Sequence, residues 1–123
     1  MPRKILGVLS DLFFIVKINE CAKRAGIPVE FVKTEADALL KAAQQPLLIV
    51  VDLNDAVVDP IRLVTSLKSN PETSRITVAG FVSHVQAGLK QQAQQAGCDM
   101  VLARSAFSQN LPGILERCGA GLQ

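Results

Sequence analysis

The sequence predicts an α/β domain built on one doubly wound sheet of five parallel strands in the order 2-1-3-4-5, and three observations support that fold class. Short apolar segments alternate five times with stretches of helical periodicity. The third segment, Leu47-Leu48-Ile49-Val50-Val51, is continuously apolar, as a strand must be when helices cover both faces of a parallel sheet. The boundaries carry matching punctuation: Gly26 and Gly97 close helical stretches, and Asp59-Pro60 opens one. Such alternation implies right-handed crossovers between parallel strands, hence an open sheet with helices on both sides.

The first strand is read over Ile5 to Leu9. Phe14, Ile18, Cys21, Ala22 and Ala25 follow at helical spacing up to Gly26, with Pro28 just beyond. Val29 to Val32 is a brief second strand. Thr34, three residues before Asp37, forms a capping-box-like start for a helix whose predicted inner face is Ala36, Leu39, Leu40 and Ala43. After the central strand, Asp59 supplies a capping carboxylate and Pro60 the first helical position, ahead of inward-facing Ile61, Val64 and Leu67; Asn70-Pro71 ends that helix. Ile76 to Val82 is the fourth strand, followed by a Gln-rich helix carrying Val85, Leu89, Ala93 and Ala96 inward as far as Gly97. Met100 to Ala103 is the fifth. Leu111, Ile114, Leu115 and Cys118 mark the last helix, ahead of a loose tail over Gly119 to Gln123.

With 123 residues, the chain is expected to form one domain over 1–123 that buries a core without staples. Hydrophobic residues at 49% and charged ones at 20% fit a soluble globular protein and exclude disorder. The 13 basic and 11 acidic residues are interspersed and leave a net charge of +2, so there is no basic stripe and nucleic acid is not an expected partner. No fully apolar run exceeds five residues, too short to span a membrane, and Met1-Pro2-Arg3-Lys4 does not open a signal peptide. The expected location is the cytoplasm, where Cys21, Cys98 and Cys118, an odd set without metal spacing, read as buried small hydrophobes.

In a doubly wound sheet the chemistry sits beyond the carboxyl ends of the strands, at the switch point between the first and third. Ser10 and Asp11 stand there after the first strand, Asp52 and Asn54 after the third, Ser83 and His84 after the fourth, Arg104 and Ser105 after the fifth. Asp52 is the most informative, because a carboxylate ending a buried apolar strand is costly unless it is solvated, paired or used. Leu47 to Leu53, with Asp52 inside it, resembles the third strand and phosphoacceptor aspartate of bacterial response-regulator receiver domains, of the chemotaxis-regulator kind. Asp59 lies at the spacing at which receivers carry an Asp-Gly, and Ala96-Gly97-Cys98-Asp99 is similar to their Ala-Gly-Ala-Asp turn. The likeness runs from about Lys4 to Cys118 and implies a flavodoxin-like receiver architecture.

In receivers the acceptor aspartate attacks a phosphoryl group held by Mg²⁺ on an acidic pair after the first strand, with a hydroxyl after the fourth strand and a lysine after the fifth compensating charge. Here a gapless register puts Leu9 and Ser10 at the acidic pair and Asp11 one step later as a helix cap; sliding by one residue brings Asp11 into the second acidic slot. The hydroxyl slot falls at Ser83, or at Val82 if the following loop has its usual length. Arg104 stands for the lysine, Ser105 for the proline after it, Val101 for the aromatic switch residue, and Asp55-Ala56 for the usual Met-Pro. Since a guanidinium fork suits a carboxylate, Arg104 is expected to be able to hold Asp52 in a standing ion pair. Metal binding through Asp52, Asn54 and Asp11 is expected to be absent or limited to weak Mg²⁺.

The resemblance thus implies a degenerate, pseudo-receiver form: a stand-alone two-component (phosphorelay) signalling module, not an enzyme, that binds a protein partner such as a histidine kinase or a downstream signalling protein, as a monomer or weak homodimer. The docking surface it implies is the face of the fourth helix, fifth strand and fifth helix. Two alternatives stand beside it, a working Mg²⁺-dependent phosphoacceptor and a small-ligand or flavin-binding flavodoxin-like domain. The loop Leu9-Ser10-Asp11-Leu12 lacks the phosphate cradle that the flavin version needs. Asp52 also reads as a structural acid, His84 as a loop residue and Phe13 as an exposed apolar group near the site.

Overall fold

A computed structural model describes residues 4–54, 59–83 and 87–120, with side chains omitted at 87 and 117–120. Met1 to Arg3, Asp55 and Ala56, His84 and Val85, the last three residues and the Cys118 side chain therefore lie outside the described parts. The elements run β1 (Ile5–Val8), α1 (Leu12–Ala25), β2 (Val29–Val32), α2 (Glu35–Ala42), β3 (Leu48–Asp52), α3 (Pro60–Ser69), β4 (Thr77–Val82), α4 (Ala87–Ala96), β5 (Met100–Ala103) and α5 (Arg104–Ala120). All strand pairs are parallel and the sheet order is β2-β1-β3-β4-β5, as the alternation predicts.

The central strand shows why the third apolar run is unbroken. Ile49 and Val51 pack with residues of α2, α3 and α4 on one face, while Leu48 and Val50 pack with α1 and α5 on the other, so every position needs an apolar side chain. The predicted caps form. Thr34 Oγ1 accepts from the Asp37 N–H at 3.1 Å, Asp59 Oδ1 from the Arg62 N–H at 3.1 Å, and Gly26 closes α1 at φ 72°. Among the described residues, no helix is long and apolar enough to cross a membrane.

Three expectations are corrected. In α2 the buried side chains are Ala38 and Ala42, whereas Ala36, Leu39, Leu40 and Ala43 are exposed, Leu40 to 66%. The Thr34 cap sets the helix rotation, and two alanines one turn apart let the backbone approach β1 and α3 closely. In α3 the face is Leu63, Val64 and Leu67, with Ile61 only half-buried at its margin. Finally, α5 begins at Arg104, not near Leu111, and continues through Gly119 to Ala120, which shortens the expected tail. A proline at 105 would bias the preceding residue away from helical φ/ψ, and Ser105 imposes no such restriction, so the helix starts straight off β5. Phe107, Leu111, Ile114 and Leu115, all buried, then anchor it.

The edge of the sheet opposite the site is locked by Lys68. Its Nζ, on a side chain only 15% exposed, donates to the carbonyls of Ser74 at 3.1 Å and Ile76 at 2.7 Å and pairs with Asp99 Oδ2 at 2.8 Å. That same oxygen accepts from the Val78 N–H at 2.8 Å. The Ala96-Gly97-Cys98-Asp99 turn is thus a structural joint between α3, β4 and β5, and Gly97 is its tightest point: φ is +108°, and a Cβ there would lie 2.7 Å from Lys68 Cγ. Cys98 is buried beside it, which pushes its thiol pKa up and leaves it a packing residue.

Two glycine substitutions should therefore move stability in opposite directions. Gly97→Ala is expected to cost about 1–3 kcal/mol through strain and collision, whereas Gly113→Ala, inside α5 with open space around the added methyl, should gain about 0.5–1 kcal/mol. Urea denaturation of both variants checks the pair, and equal or same-sign changes would contradict the packing described.

Candidate functional site at the carboxyl edge

The edge is built from two hydrogen-bonded groups. The first centres on Asp11, the N-cap of α1 at φ −70° and ψ 110°. Its Oδ1 accepts from the Phe13 N–H at 3.0 Å and the Phe14 N–H at 3.4 Å, and its Oδ2 is 2.9 Å from Arg104 Nη2. The guanidinium lies over the Phe14 ring, 4.7 Å from the centroid, so a cation–π contact supplements the charge pair. Below it Phe14 stacks on Phe81 at 4.6 Å between centroids, and Phe81 on Phe107 at 5.2 Å. One carboxylate thus starts α1 and fastens it to the first residue of α5.

The second group centres on Asp52, which ends β3 at 6% exposure. Its Oδ1 accepts from the Asn54 N–H at 2.9 Å. The Asn54 side-chain oxygen in turn accepts from the Ser83 N–H at 2.6 Å and the Ser83 hydroxyl at 3.0 Å, while the Leu53 N–H donates to the Phe81 carbonyl at 2.9 Å. Asp52, Asn54 and Ser83 are therefore one connected unit across the ends of β3 and β4.

The structure brings these residues to one edge but pairs them differently from the expectation. Arg104 makes its ion pair with Asp11 and not with Asp52. The cause is positional: Arg104 is the first residue of α5, a helix packed on α1, and there it meets both the cap carboxylate and the Phe14 face. Leu9, expected at one acidic-pair position, is fully buried among apolar side chains, and Ser10, expected at the other, is exposed. Ser83 directly follows the last residue of β4.

Mg²⁺ prefers carboxylate oxygens in octahedral geometry. Both Asp11 oxygens are engaged, by the α1 amides and by Arg104, and the Asn54 side-chain oxygen is engaged by Ser83. Among the described residues, no group of three or more His, Cys, Asp or Glu converges as a metal set. Among the described residues, those at this edge do not form a carboxylate-rich Mg²⁺ site.

No protein-family model matches the sequence. Curated proteins gave no match either. Solved structures do match over nearly the whole chain. A putative response regulator from Chloroflexus aurantiacus superposes with a TM-score of 0.84 at 19% identity, covering 98% of this chain and 99% of its own. A phosphorylated cyanobacterial phytochrome response regulator gives 0.79 at 21% identity, covering 94% and 90%. A chemotaxis response regulator of Vibrio cholerae gives 0.82 at 19%, covering 96% and 99%. The fold is that of response-regulator receiver domains. In this receiver fold Asp52, Ser83 and Arg104 occupy the ends of β3, β4 and β5 around the switch point.

Sequence reasoning missed the aromatic stack and the Asp11–Arg104–Phe14 contact. The available signal was the placement of Phe14, Phe81 and Phe107 at apolar positions of three elements that share one face of the sheet; no spacing rule joins residues so far apart. Because Asp11 serves both as cap and as ion-pair partner, Asp11→Ala should lower stability by about 1–2 kcal/mol. An unchanged urea midpoint would show that α1 does not depend on it.

Proposed function

We propose that the chain is a receiver-like signalling module of the two-component type that works by binding a protein partner, with Asp52 at the phosphoacceptor position and phosphoryl transfer poorly supported. It carries no catalysis of its own in this reading. The observation that supports it most is the use of Asp11: among the described residues, the carboxylate that follows β1 is committed to the α1 cap and to Arg104. Phosphoryl transfer depends on positioning and charge compensation, and without a second carboxylate any Mg²⁺ held near Asp52 is weakly bound.

The partner in this reading is a histidine kinase or a downstream signalling protein, met on the face formed by α4, β5 and α5. Val101, which replaces an aromatic in the family pattern, is buried against the layer of α3 and α4. It lacks the large ring that would transmit a change at Asp52 to that face, so the surface works as a constant rather than a switched shape. The reading of a working phosphoacceptor draws on the Ser83 hydroxyl, which the Asn54 bridge holds at the correct strand end.

The two separate on incubation with a small acyl phosphate and Mg²⁺, read by intact mass and peptide mapping. The proposal expects little or no adduct on Asp52, and no gain for Arg104→Lys, since the missing carboxylate rather than the arginine limits the chemistry. Stoichiometric phosphate on Asp52 of the native chain would overturn it, and a rise confined to Arg104→Lys would place the block at the arginine.

A further inference from the structure

The edge described above continues into an open groove between α1 and α5, with a volume of about 450 Å³, within the usual range for small-molecule sites. Phe14, Ser83 and Arg104 line it, together with residues that the signalling reading does not use, among them Phe13, Lys17, Ser105 and Ser108. Asp52 is not among its lining residues.

We propose that this groove binds a small organic phosphate with a planar apolar body, such as a nucleoside monophosphate. Two cations converge on it. Lys17 has no ion-pair partner among the described residues. Arg104 pairs with Asp11 through Nη2, yet its side chain is 36% exposed and lines the groove, so Asp11 does not exhaust the guanidinium. Hydroxyls of Ser105 and Ser108, one turn apart near the start of α5, supply neutral donors of the kind that surround a phosphate. A lone inorganic anion would leave one wall unused: the Phe13 ring, 71% exposed yet lining the groove. An aromatic face beside cations and hydroxyls suits a ligand that pairs an anionic head with a flat ring, since stacking adds apolar contact to the charged contacts.

This inference does not rest on phosphorylation of Asp52 or on its absence. It is tested by following backbone amide resonances during titration with adenosine monophosphate, adenosine and inorganic phosphate. Saturable shifts are expected at Lys17, Ser105 and Ser108 with the monophosphate, with much weaker binding of the other two. Lys17→Ala should raise the dissociation constant about tenfold, the worth of one charge-assisted hydrogen bond. Phe13→Ala should remove most of the advantage of the monophosphate over inorganic phosphate. Both side chains sit on the outer part of α1, and unchanged spectra away from the groove establish that the variants fold. The proposal is overturned if the monophosphate gives no saturable shift at millimolar concentration, if adenosine binds as tightly, if inorganic phosphate binds as tightly, or if Lys17→Ala changes nothing.

Discussion

A helix that starts beside a sheet edge leaves its first amides without partners, and a carboxylate at the N-cap is the ordinary remedy. In this chain that carboxylate, Asp11, also reaches Arg104 at the start of the last helix. The double engagement holds α1 against α5 over the Phe14–Phe81–Phe107 stack and determines what the edge can do. Carboxylate oxygens that accept from backbone amides and a guanidinium are less free to take a hard cation, and this contact is what supports the proposal that Asp52 lacks a strong Mg²⁺ site.

Arg104 is as much a consequence of backbone as of charge. Because no proline follows it, α5 begins at once and the arginine occupies a fixed helical position. The planar guanidinium can pair with a carboxylate while lying flat on an aromatic ring, a combination a lysine ammonium does not reproduce. Asp52 is left in a separate unit with Asn54 and Ser83. In the proposed reading, Asp52 keeps the acceptor position while its neighbours at this edge serve a structural role.

Much of the fold was legible in the sequence because each signal was local. The unbroken run Leu47 to Val51, the caps Thr34 and Asp59 and the terminators Gly26 and Gly97 all act within a few residues. The face of α2 was not legible, since Leu39 and Leu40 have the greater hydrophobicity while the closeness of packing selects Ala38 and Ala42. The site was legible as a set of residues at strand ends, which topology dictates. Its pairing was not, because the choice of Arg104 between Asp11 and Asp52 depends on where α5 begins, and that depends on an absent proline rather than on any motif.

The central claim, that Asp11 and Arg104 act as one unit, is tested most directly by a double-mutant cycle on stability with Asp11→Asn, Arg104→Met and the double variant. A favourable coupling of about 0.5–1 kcal/mol, reduced by added salt, is the predicted result for a partly exposed charge pair. Additive single-variant effects, with no coupling at low salt, would contradict it.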